Sequence, residues 1–330
     1  MRHLGQCERN LITACYTVYL SNGCTINDYT IKTSTIKEYL QAMARISTNA
    51  QIIDPSKTVN GAWARSVDKV LKEHRRWESM PNRREPITKA MVLHWAKLAK
   101  TAHQDSFIAA FYDWMVVGKY AGFRKSEWLQ DAAEHKRTGD YMRNIDGTVK
   151  AFILADFEFR DARNRKISVK RKTNNAHQAS IRWRFQKNND NGQKVPYNKN
   201  VKESRMCAVS AARRIYERAV RLKVSADEPI AVYVQNKKVV HMTQREVEVE
   251  MQSCAKTLYN LTTKEDLGRY TAHSVRVGAC VALHAAGSSI MTIQFRLRWR
   301  SDKFKNYLRH VNQLADAHNI SMNAVSKYGA

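Results

Sequence analysis

No apolar run in this chain is long enough to cross a bilayer, and its first ten residues, MRHLGQCERN, lack the apolar segment of a signal peptide. An intracellular protein without membrane partners is therefore expected. Six cysteines (Cys7, Cys15, Cys24, Cys207, Cys254, Cys280) include neither a CxxC nor a paired CxxC/HxxxH spacing. Reduced thiols are the expectation, with a zinc site on Cys7, Cys15 and Cys24 as the remote alternative. No Asp/Glu cluster calls for a metal, and no repeat or low-complexity tract is visible. Acidic residues are scarce: 30 Asp and Glu face 56 Lys and Arg, a formal charge of +26. That excess exceeds what solubility requires, and a polyanion is its natural counterpart. Phosphate contacts release counterions, so affinity should fall steeply with salt. The balance identifies a class of partner, nucleic acid, and is equally compatible with ribosomal or RNA-binding proteins.

A length of 330 residues allows about two domains. Two of the five prolines lie in SMPNRREPIT, a charged stretch suited to an exposed connector. Domains over 1–85 and 86–330 are expected. Before the connector the chain reads as helices. Leu11, Cys15 and Val18 recur in NLITACYTVYLSNG, and Thr35 with Glu38 forms a potential capping box for the next helix. Trp63, Val67, Val70, Leu71, His74 and Trp77 mark one face of a third, with Arg65, Lys69, Lys72 and Arg76 on the rest.

The most informative stretch lies near the C-terminus. If TAHSVRVGACVALHAAG is helical, His273 and Arg276 share a face and can grip one phosphate. An isolated His and Arg at this spacing usually form a solvated face, so the context matters. Ser288 or Ser289 can cap a second helix carrying Ile290, Ile293 and Leu297, and Ser301 or Asp302 a third carrying Phe304, Leu308, Val311 and Leu314. Trp299 falls between these helices and Tyr307 sits beside the last stripe. Taken singly, Trp299 reads as core and Tyr307 as an amphipathic rim residue.

Attack by a tyrosine on a phosphodiester also needs an upstream arginine and a proton donor. AFYDWMVVGKYAGFRKSEWLQD reads as an apolar helix broken near Gly122, followed by Arg124 with Glu127 three residues on to orient it. FILADFEF reads as a strand, and ASIRWRFQKNNDNGQKVPYN as a hairpin with Lys187 where the first strand meets the turn. Between them RNRKISVKRK reads as an import signal, a DNA-contacting strand and loop, or a basic surface loop.

With these elements in order, the sequence resembles the tyrosine recombinase and integrase family over roughly residues 88 to 315. Arg124 with Glu127 looks like its first arginine and acidic neighbour, Lys187 like its hairpin lysine, His273 and Arg276 like its HxxR box, Trp299 like its His/Trp position and Tyr307 like its nucleophile. Tyr307 comes eight residues after Trp299, where many members have nine. The shorter spacing is similar to that of eukaryotic DIRS-type and Ngaro-type retroelements and related viral elements. The resemblance implies a mainly α fold with a small antiparallel β-sheet or hairpin, made of an N-terminal helical core-binding (SAM-like) domain and a tyrosine recombinase catalytic domain. It implies double-stranded DNA as partner, self-association into a synaptic tetramer, no cofactor, and nuclear action if the element is eukaryotic. Tyr307 would form a 3'-phosphotyrosine, Arg124, Arg276 and Trp299 would stabilise the charge on phosphorus-bound oxygens, and Lys187 would protonate the leaving oxygen. His273 would handle the proton at Tyr307 or donate to the phosphate. A type IB topoisomerase and a catalytically inactive DNA-binding protein of the same fold are the alternatives.

Overall fold

The computed structural model describes residues 3–24, 30–78, 83–131, 141–144, 146–167, 175–186 and 191–308, without the side chains of 303 and 306. The chain is mainly helical with two small antiparallel sheets, and its contacts divide it into units over Met1–Pro81 and Asn82–Ala330.

The first unit contains α1 (Gln6–Ser21), α2 (Thr33–Asn49) and α3 (Arg65–Trp77). Its core comprises Ala14, Leu20, Ile31, Ile36, Leu40, Ala64, Val67 and Leu71. The expected stripe on α1 is on the wrong face: Leu11 is 62% exposed, Cys15 and Val18 are exposed too, and Thr13, Ala14, Thr17 and Leu20 are buried. Small side chains let α1 approach α3 closely, and the threonine hydroxyls donate to the carbonyls of Arg9 and Thr13 at 2.8 and 2.7 Å, so neither hydroxyl is stranded. Helix α2 starts at Thr33, before the expected box, and its Lys32 N-cap has no side-chain cap. Glu78 instead accepts the backbone N–H of Thr33. On α3, Val67 and Leu71 are buried as the periodicity implies, but Trp77, the last helical residue, is 86% exposed.

The second unit is built on α5 (Phe107–Ala121), which follows α4 (Lys89–Thr101). Nearly every residue of α5 is buried, consistent with its continuous apolar sequence. It ends at Gly122 in the left-handed region, φ 56°, where a Cβ would meet Leu297 Cδ2 at 2.7 Å. The chain then enters a 3-10 turn over Lys125–Glu127. The expected strand FILADFEF opens instead with a 3-10 turn, Leu154–Asp156, because Asp156 caps the Ile153 N–H; only Phe157–Arg160 forms β1. Strands β2 (Gln178–Trp183) and β3 (Gln193–Asn198) form the expected hairpin, and β1 pairs antiparallel with β2, Phe157 opposite Ile181 and Ile181 opposite Val195. Of RNRKISVKRK, residues 163–167 lie in a turn organised by Asp161, and the remainder falls outside the described residues.

Helix α6 (Ala208–Arg221) packs on α5, followed by the β4–β5 hairpin (Val232–Gln235, Lys238–His241), α7 (Gln244–Tyr259) and α8 (Lys264–Leu267). Helix α9 (Ser274–Ala285) also lies on α5, so closely that a Cβ at Gly118 would stand 2.5 Å from Val275 Cγ1. The second half of the proline-containing stretch is no exposed connector. Ile87 is buried, its N–H donates to Ser274 O at 3.2 Å, and Glu85 N donates to Arg269 O at 3.0 Å. The apolar Ile87 side chain is drawn against α9, where Gly278 leaves room for it.

Helix α10 (Ile290–Leu297) is capped by Ser289, whose hydroxyl accepts Thr292 N–H. Ile293 and Leu297 are buried but Ile290, at the first turn, is exposed. A 3-10 turn, Asp302–Phe304, leads into α11 (Lys305–Leu308). Phe304 is fully buried and Leu308 packs on Val277 and Val281 of its own chain; Val311 and Leu314 lie outside the described residues. No helix among the described residues is long and apolar enough to cross a membrane.

Candidate active site

The described site residues stand at or beside helix ends. Gly122 ends α5 and turns the chain so that Arg124 leaves the core at the 3-10 turn. Glu127 fastens it, with Oε1 3.1 Å from Arg124 Nη1 and Oε2 accepting Arg124 N at 2.8 Å. The same buried carboxylate accepts Trp183 Nε1 and Arg298 Nη2, each at 3.2 Å.

Arg298 was missed by the sequence reading. It follows α10 in the left-handed region, φ 58°, with its guanidinium buried 3.9 Å from the Trp183 ring centroid and donating to Ala121 O at 2.9 Å. Burial depresses its pKa, and Glu127 opposes the depression. Its only sequence signal is a cation immediately before Trp299.

His273 occupies the N-cap position of α9 and Arg276 lies in its first turn. Arg276 is buried, and its two terminal nitrogens donate to Gly122 O and Leu297 O, both at 2.6 Å. These carbonyls belong to the C-terminal ends of α5 and α10, where unsatisfied carbonyls and the helix dipole favour a cation. The guanidinium also lies 4.4 Å from the Trp299 ring centroid. Burial, with Arg298 and Arg124 nearby, lowers its pKa to about 9, so it remains a cation at neutral pH.

Tyr307 closes the group. Its Oη lies 3.0 Å from His273 Nε2, and its ring centroid lies 5.4 Å from those of both His273 and Trp299. Burial lowers the His273 pKa to about 4, helped by the charges of Arg276, Arg84 and Arg124. The imidazole is thus neutral at pH 7, and the tautomer protonated on Nδ1 can accept the phenol's proton. Burial raises the Tyr307 pKa, while Arg276 and Arg124 pull it down. Trp299 Nε1 is buried and has no hydrogen-bond partner among the described residues.

Arg124, Glu127, His273, Arg276, Trp299 and Tyr307 therefore form one connected group. Lys187 lies outside the described residues, beyond the end of β2. Among the described residues no three His, Cys, Asp or Glu side chains are grouped to hold a metal, and all six cysteines are free. The arrangement can place a phenol oxygen beside a neutral base and against two arginines and an indole donor, which suits in-line attack on a phosphate.

No protein-family model and no curated protein matches the chain. Among solved structures it is similar to the Tn1549 transposon integrase in complex with transposon right end DNA, at 12% identity over 96% of this chain and 85% of that one, TM-score 0.47. It is also similar to the XerH site-specific recombinase bound to difH substrate in a pre-cleavage complex (12% identity, 94% and 76%, TM-score 0.42) and to the XerA recombinase (13% identity, 95% and 92%, TM-score 0.39).

Proposed function

We propose that this protein is a tyrosine recombinase or integrase of a mobile or viral element, which cuts and rejoins DNA strands through a 3'-phosphotyrosine. The observation that carries this reading is the 3.0 Å contact between Tyr307 Oη and His273 Nε2, set against the buried Arg276 and against Trp299 Nε1, which has no partner among the described residues. Tyr307 oxygen attacks the scissile phosphorus and passes its proton to His273. The bond from phosphorus to the 5'-oxygen breaks, and Lys187 protonates that oxygen. Arg124, Arg276 and Trp299 stabilise the charge that grows on the non-bridging oxygens. The covalent bond conserves the energy of the phosphodiester, so attack by a second 5'-hydroxyl reverses the step without ATP. Exposed bases on α3 (Arg65, Lys69, Lys72, Arg76) hold the duplex from the first unit, and exchange between two duplexes proceeds in a tetramer.

The test is a nicked duplex that traps the covalent intermediate, incubated with the wild-type protein and Tyr307→Phe and resolved on a denaturing gel. An adduct from wild type alone is expected, and joining of a second duplex separates recombinase from topoisomerase. Binding without any adduct from wild type would favour an inactive DNA-binding protein, and an adduct that persists in Tyr307→Phe would remove Tyr307 from the mechanism.

A further inference from the structure

The second unit contains a cavity of about 510 Å³ lined by α4, α5, α6 and the segment between α4 and α5. One wall is an ion ladder. Arg214, Arg218 and Arg221 recur on one face of α6, and two acids stand against them. Arg214 Nε and Arg218 Nη2 each donate to Asp113, at 2.7 Å to Oδ1 and Oδ2 respectively. Arg221 pairs with Asp105, from which Arg218 Nε is 4.0 Å distant. Asp113 and Arg218 are buried, so the ladder is part of the built structure and not a chance meeting of surface chains.

Three arginines share two carboxylates, which leaves the ladder one cation in excess. Lys100, Arg205 and Arg213 add to the lining; Arg213 is paired with Glu217 at 3.8 Å, and Arg205, from the 3-10 turn before α6, with Glu203 at 3.2 Å. Six cations (Lys100, Arg205, Arg213, Arg214, Arg218, Arg221) thus face four carboxylates (Asp105, Asp113, Glu203, Glu217), an excess of two. The cations converge on a concave space within the ~300–1,000 Å³ range of small-ligand sites. Ala96, Ala99 and Ala109 give the cavity an apolar floor, with Tyr112 beside them.

We propose that this cavity binds a compact polyanion with two or more phosphate groups, such as a nucleoside triphosphate or an inositol polyphosphate. Planar guanidinium forks match phosphate oxygens, and the surplus of cations over carboxylates makes a dianion or higher charge the natural complement. The site is separate from the tyrosine group. Asp113 lies eight residues before Ala121 on α5, roughly 12 Å along the helix axis at 1.5 Å per residue. The inference does not depend on the proposed strand-transfer chemistry.

The experiment is calorimetric titration of the full chain in roughly 0.15 M salt, where long-range attraction is screened, with tripolyphosphate, ATP and inositol hexakisphosphate as probes. One molecule per chain is expected to bind for at least one probe, about tenfold or more weaker in Lys100→Gln/Arg205→Gln. Both side chains are exposed and stand outside the buried ladder, so the fold should be retained. The control, Lys256→Gln/Lys264→Gln, removes the same charge from α7 and α8 and should leave binding unchanged. ATP binding more tightly than tripolyphosphate would assign the alanine floor to a nucleoside, and preference for inositol hexakisphosphate would assign the site to a compact ring of phosphates. Equal weakening in both double variants, several molecules per chain, or no binding by any probe would overturn the proposal. So would a hexaglutamate peptide that binds with the same dependence on Lys100 and Arg205 while the phosphates do not.

Discussion

Replacing Glu127 with glutamine removes one charge and almost no volume, yet four donors converge on that carboxylate. Arg124 N, Trp183 Nε1 and Arg298 Nη2 all point at Oε2, while Arg124 Nη1 points at Oε1. The glutamine oxygen will remain with the three donors, which turns its NH₂ toward Arg124 Nη1, donor against donor. Arg298, whose side chain is 0% exposed, keeps its charge and loses its carboxylate. Breaking a buried pair from one side costs about 3–5 kcal/mol. At about 2–4 °C per kcal/mol for a unit of this size, the melting temperature should fall by roughly 6–20 °C. Arg124 also loses its tether, so the rate of covalent-complex formation should fall along with stability. Glu127→Gln/Arg298→Met separates the two effects. With both charges gone, most of the stability should return, because an apolar replacement for a buried pair is often neutral. Adduct formation should stay slow, because Arg124 remains untethered. Thermal unfolding and single-turnover adduct formation on the wild type, both single variants (Glu127→Gln and Arg298→Met) and the double variant complete the cycle. Additive losses of stability in the double variant, or an Glu127→Gln loss below about 1 kcal/mol, would refute the claim that Arg298 depends on Glu127.

Trp299→Phe keeps a ring beneath Arg276 but removes the N–H, which has no partner among the described residues, together with the volume of the second indole ring, so a modest loss of stability is expected while adduct formation slows about a hundredfold, as for loss of one transition-state donor; equal rates would discard the donor role. The His273 pKa is about 4 in the folded protein against 6.5 for an ordinary histidine, so the unfolded chain binds the extra proton between them. Stability should be level with respect to this group above about pH 6.5 and decline as pH falls toward 4, and His273→Asn should flatten that part of a denaturant-titration series. Gly278→Ala would place a Cβ 2.7 Å from both Ile87 O and Ile87 Cγ1, and because the oxygen belongs to the backbone it cannot simply rotate away. Overpacking of this kind costs about 1–3 kcal/mol, measurable as a lower urea midpoint; an unchanged midpoint would mean that residues 83–87 yield easily.

What the sequence determined by itself was local. Residue type specifies where α5 can stop, because Gly122 tolerates the left-handed turn, and Ser289 announces α10 through a side chain that reaches its own helix. The order Arg124, Glu127, His273, Arg276, Trp299, Tyr307 was visible for the same reason, since each stands at a helix boundary marked by neighbouring residues. Only the tertiary structure decided which face of α1 enters the core: its apolar residues run nearly all round, and close approach of α3 selected Thr13, Ala14 and Thr17 over Leu11 and Val18. It decided that Glu85 and Ile87 are bonded into the second unit and not held in an exposed connector, since backbone hydrogen bonds to Arg269 and Ser274 have no sequence signature. Arg298 shows the same division. A buried cation is invisible in a chain rich in surface cations until Glu127, Trp183 and Ala121, more than a hundred residues away, are folded around it.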